Sequence, residues 1–79
     1  MFNVYTTHGK GSQIKLPPMR DLDDVRGFAE AAVRCGQNVL IRAFEITDQG
    51  EQWRISYSVL NGEIRELDSP VIPRNHWDV

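Results

Sequence analysis

Residues 38–67, NVLIRAFEITDQGEQWRISYSVLNGEIREL, decide what kind of fold this chain can make. Asn61-Gly62 is the strongest two-residue hairpin signal a sequence offers, because both central positions of the favoured turn need positive φ. Asp48-Gln49-Gly50 marks the turn before it, with a loop of two or three residues. Between the two turns QWRISYSVL alternates strictly. Trp53, Ile55, Tyr57 and Val59 point one way, and Arg54, Ser56 and Ser58 the other. NVLIRAFEIT is apolar at most positions, and EIREL completes three consecutive antiparallel strands.

The register of the first of these strands depends on its loop. A three-residue loop, Asp48-Gln49-Gly50, sets Val39, Ile41 and Ala43 beside Trp53, Ile55, Tyr57 and Val59. Leu40, Phe44 and Ile46 then lie on the opposite face with Arg42, Arg54 and Leu67. A two-residue loop, Gln49-Gly50, reverses the assignment, as any one-residue slip does. Both leave an apolar strip on the second face, and monomers seldom leave such strips bare. The C-terminal tail, a second copy or a partner is expected to cover it. Phe44 with its arginine neighbours is the expected centre of any contact, since aromatics and arginine dominate interface hot spots.

Working outward, DLDDVRGFAEAAVRCGQN is a helix with both ends marked. Asp21 is placed to cap it, and Asp23 and Asp24 in the first turn favour the positive end of its dipole. Leu22, Val25, Phe28, Ala29, Ala32 and Val33, with Cys35 at the end, fall in one arc of the wheel. Arg26, Glu30 and Arg34 share the other side at pairing distance. Gly36 supplies the left-handed stop. Phe2 to Thr7 and Gln13 to Leu16 read as short strands, and Pro17-Pro18 ends the second. The fold class is therefore α+β: a ββαβββ antiparallel sheet with one amphipathic helix packed on one face. It forms a single domain over residues 1–79, with an irregular tail over about 68–79.

Between the first two strands lies THGKGSQ, residues 7–13, which resembles a phosphate loop at first sight. A P-loop needs G-x-x-x-x-G-K-[ST] between a strand and a helix, so that amide N–H groups converge on phosphate. Here the glycines are two apart and a strand follows, so the stretch turns the chain. Two histidines near opposite ends and a single cysteine have no metal-ligand spacing. Cys35, in the apolar arc, reads as a buried and inert thiol. No pair of carboxylates is placed for acid–base work. The chain carries no enzyme signature and implies no cofactor.

Composition narrows the class further. The chain has a formal charge of −2, 41% hydrophobic and 25% charged residues, and seven of its nine cations are arginine. The charge balance offers no polybasic attraction to nucleic acid. Tyr5, Phe44, Trp53 and Tyr57 could stack on bases, and Arg20, Arg26, Arg34 and Arg42 could meet phosphate. Three aspartates at the helix start argue against that use, and no RNA-binding sequence motif is present. No apolar run reaches membrane-spanning length. One cysteine and an N-terminus without a signal-peptide pattern point to a reducing, cytoplasmic location.

What remains is a protein that acts by occupying a surface. Asp21, Asp23, Asp24 and Glu30 form an acidic group that could dock onto a basic groove, where carboxylates take the places of phosphates. In size, charge balance and element order the whole chain resembles the small phage-encoded anti-CRISPR proteins. The segments carrying the likeness are YTTHGKGSQIKL, DLDDVRGFAEAAVRCGQ and VLIRAFEITDQGEQWRISYSVLNGEIREL; the likeness rests on no motif. It implies a stoichiometric inhibitor of a CRISPR–Cas effector such as Cascade, blocking target-DNA recognition in the cytoplasm of a bacterial host. It casts Asp21, Asp23, Asp24 and Glu30 as groove contacts, and Arg42 and Phe44 as a second contact or the seam of a homodimer. Nine arginines and lysines depart from the strongly negative charge of a pure DNA mimic.

Overall fold

The computed structural model describes residues 1–9 and 12–71, and within them the element order is ββαβββ. The strands are β1 (Phe2–His8), β2 (Ser12–Lys15), β3 (Val39–Thr47), β4 (Gly50–Leu60) and β5 (Glu63–Leu67); the helix is α1 (Leu22–Arg34). They form one antiparallel sheet in the order β2-β1-β3-β4-β5. β1 thus separates β2 from β3, and the link carrying α1 passes across it.

The first hairpin settles the reading of residues 7–13 as a turn. His8 pairs with Ser12 across it and Gly9 has φ +66°; Lys10 and Gly11 lie outside the described residues. Past Pro17-Pro18 the chain rejoins β1, with Phe2 and Met19 exchanging backbone hydrogen bonds of 2.8 and 2.9 Å. At the other end of the sheet Asn61 and Gly62 take φ of 52° and 82°, as the β4–β5 turn requires.

α1 begins at Asp21, whose extended backbone turns its N–H toward the Asp24 carboxylate at 3.4 Å. It ends in a Schellman motif: Gln37 N–H reaches Ala32 O at 2.9 Å and Gly36 N–H reaches Val33 O at 3.0 Å. Val25, Ala29 and Ala32 are fully or almost fully buried, with Leu22, Phe28 and Val33 packed around them. They meet Val4, Val39, Ile41, Ala43, Tyr57 and Val59 from the inner face of the sheet. Cys35 departs from its expected place. It is exposed at the C-cap, where φ −87° and ψ 0° have already left the helix.

The β3–β4 hairpin uses a loop that neither sequence alternative specified. Asp48 and Gln49 form the turn, and Gly50, at φ 103°, pairs with Thr47. The Thr47 hydroxyl donates to Gly50 O at 2.7 Å and accepts from Gln49 N–H at 3.2 Å, which fixes the tight closure. Left uncorrected, this register would turn the apolar set of β4 away from the helix. A bulge at Arg54 corrects it: Phe44 pairs with Trp53, whereas Ala43 pairs with Ile55. Val39, Ile41 and Ala43 therefore face the helix with Ile55, Tyr57 and Val59, as the three-residue loop requires. Trp53 is the correction. It lies on the outer face beside Phe44 rather than in the core.

Candidate functional site

The outer face of the sheet divides into two unlike halves. Toward one end Thr7, Leu40, Ser56 and Ser58 are buried although they point away from the helix and its core. Toward the β3–β4 hairpin, Tyr5, Phe44 and Trp53 are half-buried and Ile46 is exposed. The segment after β5 reaches this face at Arg42, whose Nη1 donates to Pro70 O at 3.4 Å. Of the tail expected to cover the apolar strip, residues 68–71 are described, with Pro70 and Val71 exposed, and residues 72–79 lie outside the described residues.

Arg42, Glu51 and Lys15, which pairs with Tyr5, are charged groups of the open half. With Tyr5, Gln13 and Phe44, Arg42 and Glu51 line a shallow, open pocket of about 290 Å³. Arg42 Nη2 donates to Gln13 Oε1 at 2.5 Å, and its guanidinium carbon lies 5.8 Å from the centre of the Phe44 ring. The buried Nε has no hydrogen-bond partner. Tyr5 stands edge-on to Phe44 with ring centres 5.6 Å apart. β-Pairing produces this cluster directly, because Tyr5 is opposite Arg42 and Phe44 opposite Trp53.

Glu51 accepts two hydrogen bonds on Oε1, from Tyr5 Oη at 2.6 Å and from Asn3 Nδ2 at 2.5 Å. The Tyr5 bond, then the Asn3 bond, holds its carboxyl below the ordinary glutamate value. The same bond to Glu51 raises the Tyr5 phenol above its ordinary value. Sequence reasoning missed this network, since it joins β1 to β4 across β3 and depends on how non-neighbouring strands are ordered.

The acidic group of α1 lies on the other side of the sheet. Asp21, Asp23 and Asp24 are exposed, and none makes an ion pair with a described residue. Glu30 is set apart from them by pairing with Arg26 at 3.4 Å. The structure therefore brings Asp21, Asp23 and Asp24 together at one helix end and Arg42 with Phe44 on the opposite layer. The other candidate contacts disperse. Arg26 covers the buried Tyr57 ring at 5.5 Å, and Arg54, at the bulge, pairs with Glu45 at 2.9 Å. Tyr57 is thereby removed from the set of stacking aromatics, whereas Tyr5, Phe44 and Trp53 share one face.

Among the described residues no group of His, Cys, Asp and Glu could hold a metal ion. None of their helices is long and apolar enough to cross a membrane. Comparison with protein-family models, with curated proteins and with solved structures finds no match to this chain.

Proposed function

We propose that this protein is a non-catalytic inhibitor that binds a CRISPR–Cas effector complex and blocks its access to target DNA. The acidic start of α1 is the docking surface and the basic DNA-binding groove of the effector is its partner. The observation carrying this reading is the state of Asp21, Asp23 and Asp24. All three are exposed, free of ion pairs with described residues, and gathered at the end of a helix held by an N-cap and a packed apolar arc. Charge fixed on a rigid element needs little ordering on binding, so its attraction to a basic groove is not spent on immobilising side chains. Glu30 contributes less, because it already pairs with Arg26.

The test is retention by a purified type I effector. The wild-type chain is expected to be retained and, at equimolar amounts, to suppress binding of a target duplex. Asp23→Lys with Asp24→Lys is expected to weaken retention by about thirtyfold or more, taking each exposed charge as worth roughly 1 kcal/mol. Equal retention of the double variant, with an unchanged circular dichroism spectrum, removes the acidic docking surface.

A further inference from the structure

We propose that the open half of the outer sheet face is the seam of a homodimer, with Arg42 of each copy meeting Glu51 of the other around Phe44 and Ile46. This goes beyond the docking surface on α1, which lies on the opposite side of the sheet.

Four observations point to a second copy. Arg42 and Glu51 line the same pocket with opposite charges, yet neither makes an ion pair with the other or with any other described residue. Each is instead held by neutral groups: Arg42 by the Gln13 amide and the Pro70 carbonyl, Glu51 by the Tyr5 hydroxyl and the Asn3 amide. Two charges are thus set in place, and the second oxygen of Glu51 keeps hydrogen-bonding capacity to spare, since both of its bonds fall on Oε1. Finally, Ile46 is 47% exposed on this face, and Val71, next to Pro70, is 70% exposed.

The balance of charge selects the occupant. A strongly basic partner would be attracted by Glu51 and repelled by Arg42 and by Lys15 beside Tyr5, and an acidic one the reverse. A second copy turned about a twofold axis meets both charges with their opposites, because in such a contact every residue pair occurs twice. Tyr5, Phe44 and Trp53 with Arg42 give the patch the aromatic and arginine content of an interface centre. A domain of this size also gains from association, since it buries a smaller fraction of its surface than a larger one.

The test is sedimentation equilibrium of the full chain over a wide concentration range, with circular dichroism as the control for folding. The wild type is expected to dimerise reversibly. Arg42→Glu and Glu51→Arg are each expected to raise the dissociation constant by at least about tenfold, equivalent to ~1.4 kcal/mol. The double variant, with the two charges exchanged, is expected to recover most of that loss. Arg42→Glu and Glu51→Arg each also remove contacts within the protomer, so Ile46→Arg, a change at an exposed side chain, supplies an independent block. A wild-type chain that stays monomeric at every concentration overturns the proposal and leaves the chain's own tail or another partner to cover the face. A dimer indifferent to Ile46→Arg, or a double variant no stronger than the singles, overturns it equally.

Discussion

Leu40 and Ile46 stand on the same strand and the same face, six residues apart, and the structure gives them opposite fates. Leu40 is 1% exposed and Ile46 47% exposed, though neither belongs to the core beneath the helix. Truncating each to alanine measures whether the outer face is half closed, as described. Leu40→Ala removes three buried carbons, worth about 0.8 kcal/mol each on transfer, or ~2.4 kcal/mol together. The cavity left behind brings the expected loss to about 3–4 kcal/mol. Ile46→Ala removes the same number of carbons from a site half in water and leaves no cavity, so about 1 kcal/mol is expected. A domain of this length has roughly 4–12 kcal/mol of stability in total, so the first change is a large share of it and the second is not. Urea unfolding followed by circular dichroism reads both values. At a slope of about 1 kcal/mol/M, Leu40→Ala should lower the midpoint by roughly 3 M and Ile46→Ala by about 1 M. The measurement belongs at protein concentrations low enough to keep the chain monomeric, because Ile46 is also assigned to the dimer seam. Equal losses for the two variants would refute the division of the outer face into a covered and an open half.

Two further outcomes follow from local geometry. Gly62→Ala places a side chain at φ 82° in the β4–β5 turn and is expected to cost about 1–2 kcal/mol in the same urea assay, although no neighbouring atom lies within 4 Å of the new Cβ. Because the folded state holds the Glu51 carboxyl below 4.5, Glu51 contributes stability that is present above its unfolded value and disappears as pH falls through the folded one. The stability difference between wild type and Glu51→Gln should therefore shrink between about pH 4.5 and lower pH, and a pH-independent difference would contradict the network. The same variant should bring the Tyr5 phenol back toward 10.0, read by its ultraviolet titration, because the Glu51 bond is the first cause of its rise.

Much of the fold was legible because independent signals agreed. Asn61-Gly62, the strict alternation of residues 53–59 and the two marked ends of α1 each specify one local structure, and none conflicts with the next. Cys35 escaped for a simple reason. The wheel advances 100° per residue only while the backbone is helical, and the chain leaves the helix at that residue. The six candidate contact residues were individually visible. Their separation onto two layers was not, since it depends on the face each element presents to the sheet.

The β3–β4 hairpin shows why local reading stops short of the site. Sequence offered two loops and assumed that one register would hold along the whole strand pair. The chain uses two registers, that of the three-residue loop over residues 39–43 and, over residues 44–47, one that neither loop implied. A tight turn at Asp48-Gln49, tied by Thr47, governs residues 44–47, and burial against α1 governs residues 39–43. These two demands differ by one residue, and the bulge at Arg54 absorbs the difference. Trp53 consequently leaves the core for the outer face, where its indole N–H finds Ser56 Oγ at 2.8 Å, and joins Phe44 across the strands. The open aromatic surface is thus a consequence of reconciling turn chemistry with core packing. A strand pair satisfying either demand alone would place these side chains differently and would not assemble this patch.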